Sequence, residues 1–512
     1  MATVVTDVVP ERSGSRRRAG WWALAIGLCG FGYRLVAVLS DSPPTNSDEA
    51  TMGLAALHIA GGRDFPVFFY GQHYMGTLEA YLAAPLFLVA GPSVLALRIP
   101  ALLLYAVFVA AMYALTRRLY DPRVAVLTVA VLALGSDRVI KNQLISAGGY
   151  PELGPAIALL FLTAVALGLA RVRHRTLAYG ACGLLVGLLL WVDWLALPYL
   201  AAAGTALVLT GRRELLGRNG LALLAGTVLG AAPVLAYNLR AAPGADSLTV
   251  FLHQNADHGT ASLASRLVDG WLFGVPMGTG LCAPSRCGGW SMWWGVAYPV
   301  LLLVSGALAV YGLRRCTDRV RHGYRLALVL AAAGTLLAYV RSSAPAVDRI
   351  ENARYLSLLL VSTPAVLWPL VAAIARREAL WRTVSALGLA AILGTGAAAT
   401  VGAAAQIPAT HQRAVNLRTL VETLRDKGIT RIYSDYWSCD LITFLAREDI
   451  QCAVVTDDLR PGQDRYLPYR AAVAAADHPA YVIPVNLPLD ANVAARVGHT
   501  EVLTVAGYHV YR

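Results

Sequence analysis

The feature that most constrains this chain is a repetition of long apolar runs separated by short arginine-rich turns. The first runs from Trp21 to Leu39 behind Arg12, Arg16, Arg17 and Arg18, and similar runs recur as far as about residue 405. A bilayer core takes roughly 20 apolar residues per helix. Of the 512 residues, 57% are hydrophobic and 14% charged, well beyond the balance of soluble domains, so the chain reads as a polytopic α-helical membrane protein. The first run is long and carries no small-residue cleavage site, so it reads as an anchor rather than a signal peptide. The net charge of +12 does not point to nucleic acid, because the arginines punctuate the apolar runs instead of forming one basic face. The partner it implies is the lipid bilayer.

Arginine placement orients the runs. The turns at Arg117–Arg123, Arg171–Arg175, Arg212–Arg218, Arg314–Arg325 and Arg376–Arg382 join the N-terminal tail in the cytoplasm if the spans fall near 20–40, 95–116, 122–140, 152–170, 176–193, 194–210, 219–237, 293–313, 326–340, 355–374 and 383–405. That is about 11 transmembrane helices at the usual span length, with the N-terminus cytoplasmic and the C-terminus outside. It requires Met75 to Ala90 to lie along the interface rather than cross. Residues 1–405 then form the transmembrane domain, with a first outer loop at 41–94 and a long outer loop at 238–292.

Residues 406–512 read as a small extracytoplasmic α/β domain. Ala414 to Asp426 and Leu441 to Arg447 have helical periodicity, Arg431–Ser434, Gln451–Thr456 and Ala480–Pro484 read as strands, and Glu501 to Arg512 as a hairpin around Gly507. Cys282 and Cys287, and Cys439 and Cys452, form two candidate pairs on the oxidising side, where disulfides persist. Cys29, Cys182 and Cys316 read as unpaired thiols.

In a chain this poor in charge, the first outer loop holds Asp48, Glu49, Asp64, His73 and Glu79. Ionisable groups beside a bilayer are costly unless they face water, a cavity or a ligand. Ser47 or Asp48 also suits the N-cap of the amphipathic helix that follows, so capping and chemistry both stand as readings. On the same face lie Tyr74, Arg98, Tyr150 and Glu152 in the SAGGYPE turn, and Arg354 with Tyr355. An arginine at the membrane edge, such as Arg98, snorkels, pairs with an acid, or holds an anion. Phosphate suits a guanidinium, which offers paired donors. Carboxylates facing arginines suggest group transfer from a lipid phosphate: a carboxylate takes the proton of an acceptor hydroxyl while arginines hold the departing phosphate.

Four segments carry a resemblance: the loop with Asp48-Glu49, YGQHYMGTLEAYLAAPLFLVAGPSVLALRIP, the TRRLYDPR turn and NARYLSLLLVSTP. Together they resemble the GT-C membrane glycosyltransferases, in the branch of protein O-mannosyltransferases and lipid A aminoarabinose transferases, most closely up to about Trp194. The resemblance implies a polyprenyl-phosphate sugar donor, a glycan, glycolipid or protein acceptor, and inverting transfer on the outer face of a bacterial plasma membrane. It makes Asp48 the general base, with Glu49 and Glu152 as further catalytic acids. Arg98, Arg354 and Tyr355 then bind the donor phosphate, and His73, Tyr74 and Tyr150 the substrate. Asp48, His73 and Glu152 would be the ligands of a divalent cation, though their spacing is no metal signature. Two other classes stand beside the enzyme: a flippase for lipid-linked sugars, which would need inverted repeats and midplane charges, and a non-catalytic cell-envelope scaffold.

Overall fold

The computed structural model describes residues 13–254, 262–283, 287–315, 318–376, 378–498 and 501–512. Among these, nine helices are long and apolar enough to cross a bilayer. A tenth is added when Arg218–Gly230 and Ala232–Asn238, bent by 62° at their junction, count as one span. These helices leave Leu209, Leu221, Leu303 and Leu387 largely exposed, a surface that lipid rather than water covers.

The span expected at 122–140 is broken. Asp121 caps a helix, Pro122–Ala133, by accepting from the amides of Arg123 and Val124 at 2.7 and 3.1 Å. At 12 residues it is about 18 Å long against a core of about 30 Å. Its end is made by Gly135, at φ +156°, and by the buried Arg34. The Arg34 guanidinium donates to the carbonyls of Ala133 and Leu132 at 2.9 and 3.2 Å and to Gln143 at 2.8 Å, and stacks on Tyr105. These are the carbonyls a helix end leaves without partners, and a cation there also suits the helix dipole. A polar helix, Asp137–Leu144, follows. Leu78–Ala90, with 13 residues, is likewise too short to cross alone.

By their contacts the described residues form two compact units. The first takes the chain up to Arg34, Leu102–Gln143 and Pro151–Ala404. Within it the helices Arg175–Val192 and Arg218–Gly230 touch backbone to backbone. A Cβ at Gly183 would fall 1.9 Å from the Leu223 carbonyl oxygen, and one at Gly187 2.1 Å from that of Thr227. Small residues of this kind let membrane helices approach when no hydrophobic drive separates them from lipid. Gly187→Val is therefore expected to destabilise the unit by about 1–3 kcal/mol through overpacking. A thermal melt of the detergent-purified variant checks this, and an unchanged midpoint would contradict it.

The second unit contains Leu35–Ala101, Leu144–Tyr150 and Ala405–Arg512. The tail begins at Ala405, one residue from the boundary expected at 405/406, and the packing groups the first loop with it. The cause is a shared core: Met52, Leu54, Ala56, Phe87 and Leu97 pack with Leu441, Phe444 and Tyr469 of the tail. Gly53 makes room for this, since a Cβ there would sit 2.6 Å from the Phe444 ring. Asp41 adds polar ties to His411, at 2.9 Å, and to Arg418.

The tail carries a five-stranded mixed sheet of β1 (Arg431–Ser434), β2 (Gln451–Val454), β3 (Ala480–Pro484), β4 (Val502–Val505) and β5 (Tyr508–Tyr511), in the order β2-β1-β3-β5-β4. β1 is parallel to both β2 and β3, while β5 is antiparallel to β3 and β4. Ala506 and Gly507, both at positive φ, make the tight turn of the terminal hairpin, as such turns require. Cys439 is bonded to Cys452, across the helix-to-β2 connection, and in the first unit Cys282 to Cys287. Cys316 lies outside the described residues.

Candidate active site

Asp48 lies in the first turn of the helix Ser47–Ala60, and the capping question is settled one residue earlier than expected. Asn46 is the N-cap, its side chain accepting from the Glu49 amide at 2.9 Å. Asp48 is thereby released for other contacts. Its Oδ1 accepts from the Tyr436 hydroxyl at 3.0 Å and from Arg465 Nη2 at 3.3 Å. Arg465 Nε donates to the same Tyr436 oxygen at 2.9 Å, which closes a three-membered ring of hydrogen bonds. Among the described residues Oδ2 has no hydrogen-bond partner, and the Asp48 side chain remains 20% exposed. The carboxylate is held by one oxygen and open at the other.

Glu49 and Arg98 have committed to each other. Both side chains are fully buried, and the guanidinium donates through Nε and Nη2 to the two carboxylate oxygens at 2.7 and 2.6 Å. Of the readings open for Arg98, pairing with a neighbouring acid is the one observed. Glu49, neutralised and closed to solvent, and Arg98, with its paired donors already taken, are poorly placed for the acid and phosphate roles the resemblance implied.

Below Asp48 on the same helix, Thr51 donates to Asp440 of the tail at 2.7 Å. Burial pushes the Asp440 carboxyl up to about 6, from an ordinary 3.8. Two turns further, His58 bonds Tyr70 at 2.7 Å and Glu448 at 2.9 Å. Burial alone would raise Glu448, but hydrogen bonds from His58, Arg63 and Tyr469 bring it down to about 2. The two acids act oppositely on stability. Glu448, lowered by folding, stabilises above its unfolded value of about 4.5, and this contribution is lost as pH falls through about 2. Asp440, raised by folding, favours the fold below about 4, and that contribution is lost as pH rises through about 6. Asp440→Asn is expected to flatten the fall in melting temperature between pH 4 and 6.5. At about 1.4 kcal/mol per pKa unit, the contribution at stake is about 3 kcal/mol, and melts across that range that coincide with those of the intact protein would contradict it.

The other candidates fall as follows. His73 and Tyr74 lie, half-buried, in the turn between Phe68 and Gly76, which form an antiparallel bridge. Tyr150 ends the 144–150 segment of the same unit. That segment is fixed by the buried Glu79, which accepts from the amides of Gly148 and Gly149 at 3.3 Å each. Both glycines have φ near +100°, and a Cβ at Gly148 would meet the Met75 methyl at 2.5 Å.

Glu152, Arg354 and Tyr355 belong to the other unit. Glu152 is buried in the first turn of Tyr150–Gly168, where a helix N-terminus favours a carboxylate. Arg354 and Tyr355 stand in the 3-10 helix Asn352–Ser362, with the guanidinium over the Tyr355 ring at 5.2 Å. The Arg354 carbonyl accepts from Asn142 at 3.2 Å. Three residues before, Glu351 takes two bonds from Arg138, both 2.8 Å, with Lys141 at 4.0 Å. Burial would raise Glu351, but Arg138 outweighs it and holds the carboxyl at about 2. Three cations thus surround one ionised acid. Arg138 was hidden inside the span expected at 122–140 and Lys141 stood one residue past its end; the signal available was the run of polar residues after Leu134-Gly135-Ser136.

Asp48, His73 and Glu152 do not fit a divalent cation. Among the described residues no three His, Cys, Asp or Glu side chains come together as a ligand set, and the guanidinium on Asp48 opposes a second positive charge at that carboxylate.

No protein-family model matches the chain, and no curated protein matches it in sequence. Among solved structures, its fold is similar to that of ArnT from Cupriavidus metallidurans. The form bound to undecaprenyl phosphate aligns with a TM-score of 0.58 at 12% identity, over 96% of this chain and 97% of that one. The apo form gives 0.57 at 13% identity, over 97% and 98%. The archaeal oligosaccharyltransferase AglB from Archaeoglobus fulgidus, in complex with an inhibitory peptide and a dolichol-phosphate, gives 0.50 at 12% identity, over 92% of this chain and 70% of that one. Both are GT-C superfamily proteins, and the chain shares their fold.

Proposed function

We propose that the chain is an inverting glycosyltransferase. It moves a sugar from a polyprenyl-phosphate donor to an acceptor hydroxyl on the outer face of a bacterial plasma membrane. The observation that carries this reading is the Asp48 carboxylate, fixed through Oδ1 and open at Oδ2, in a fold shared with a protein bound to undecaprenyl phosphate.

Asp48 Oδ2 takes the acceptor's proton as its oxygen bonds to the anomeric carbon. The bond from that carbon to the phosphate oxygen breaks on the opposite side, and its electron pair leaves with the polyprenyl phosphate. Attack and departure on opposite faces invert the carbon. A cation is needed to stabilise the charge arriving on the phosphate, the role the resemblance gives to Arg354. His73, Tyr74 and Tyr150 line the sugar or acceptor, and a glycan, a glycolipid or a protein would supply the hydroxyl.

The test is sugar incorporation into membranes containing the intact protein, from undecaprenyl-phosphate donors carrying labelled mannose, glucose, arabinose or 4-amino-4-deoxyarabinose. Protein-dependent incorporation from one of them is expected, and it separates a hexosyl from a pentosyl enzyme. No incorporation from any donor above membranes lacking the protein would count against the reading.

A further inference from the structure

The groups that orient Asp48 do not come from its own helix or loop. Tyr436 is the first residue of the helix after β1, and Arg465 lies between β2 and the helix Leu467–Ala474. β1 sits between β2 and β3, with both neighbours parallel to it. The connection from β1 therefore turns one way and the next crosses back the other, and the crevice at the carboxyl ends of such strands is where open α/β sheets place their functional residues. Tyr436 and Arg465 stand at those ends.

Both are fixed from behind. Asp435 accepts from the Trp437 amide at 2.9 Å and so caps the Tyr436 helix. Asp464 accepts from the Val454 amide at 2.8 Å and pairs with Arg470, which ties the loop to the end of β2. Arg465 lies over the Phe69 ring at 4.8 Å, beside the turn that Gly71 makes at φ +75°. Docking of the tail is already secured by Leu441, Phe444 and Tyr469, so packing alone gives no reason for a tyrosine hydroxyl and a guanidinium to meet at one carboxylate oxygen. Arg465 Nη1 is moreover buried without a partner among the described residues. The guanidinium therefore keeps one donor beyond those it spends on Asp48 and Tyr436.

We propose that Tyr436 and Arg465 are positioning residues for the Asp48 carboxylate, which makes the C-terminal domain part of the catalytic centre. This rests on the reading of Asp48 as the base. Two donors on Oδ1 lock the carboxylate in one rotamer and turn Oδ2 to the acceptor hydroxyl. As the proton moves from that hydroxyl to Oδ2, the new carbon–oxygen bond forms and the phosphate leaves with its electron pair. Proton-transfer geometry of this kind is sensitive to displacements of an ångström.

The test uses the full chain and the donor that turns over in the panel above. Tyr436→Phe keeps the ring and removes only the hydroxyl; Arg465→Lys keeps the charge and removes the fork. Each is expected to lower kcat about 10- to 100-fold with donor KM within about twofold and an unchanged melting temperature. On the residual rate of Asp48→Asn, Tyr436→Phe is expected to add no further loss, because residues acting as one unit are non-additive. Full kcat in both single variants, or losses that multiply with that of Asp48→Asn, would overturn the proposal while leaving Asp48 as the base. Full activity in Asp48→Asn, or no turnover from any donor, would overturn the underlying reading and this inference with it.

Discussion

Transfer by Asp48→Asn is expected to fall about 10²- to 10⁴-fold, the usual worth of a general base, with donor KM little changed. Asparagine is nearly isosteric, and its amide oxygen still accepts from Tyr436 and Arg465, so the hydrogen-bond ring around Oδ1 persists. Only the capacity of the second position to take a proton is lost. The donor phosphate depends on other residues, which is why the loss belongs in kcat. Initial rates over a range of donor concentrations check this, alongside a melt showing that the variant is folded. A rate within twofold of the intact protein would remove Asp48 from the chemistry.

Arg98→Ala and Glu49→Ala are each expected to destabilise the second unit by about 3–5 kcal/mol, because each strands one buried charge without its counter-ion. Both partners are fully buried and joined by two hydrogen bonds. The pair Glu49→Leu with Arg98→Met is expected to cost far less than the two single changes combined, since an apolar replacement of similar volume strands no charge. Melting of the purified proteins decides it. Single variants as stable as the intact chain would show that the pair does not hold the loop, and would return Arg98 to consideration as a phosphate ligand.

The two acids Asp48 and Glu49 are adjacent in sequence and opposite in fate, which marks the limit of reading the site from the chain alone. An acidic pair in an otherwise apolar protein is conspicuous, and the cost of charge near a bilayer justifies attention to both. Which acid stays open depends on residues far away: Glu49 meets Arg98, 49 positions on, while Asp48 meets Tyr436 and Arg465, 388 and 417 positions on. Tyr436 stands in an Asp-Tyr-Trp stretch that by itself marks no site, and Arg465 carries no local signal at all.

The fold was legible where local pattern decides it. β1 and β3 coincide with the segments read as strands, and the terminal hairpin turns at Gly507 as expected. Hydropathy failed at 122–140 because the break there depends on Gly135 and on Arg34, a residue about a hundred positions earlier that caps the helix end. It also did not show that the first loop packs with the tail, because an apolar face on Ser47–Ala60 reads the same whether lipid or Phe444 covers it.

Proteoliposomes holding only the purified protein, an identified labelled donor and acceptor separate sugar transfer from transport through the fate of the donor's glycosidic bond. Free polyprenyl phosphate and labelled acceptor are expected to appear together, in equal amounts and at a rate proportional to the protein. A label that crosses the bilayer still attached to its lipid, with no polyprenyl phosphate released, would contradict it and identify a carrier of lipid-linked sugars instead.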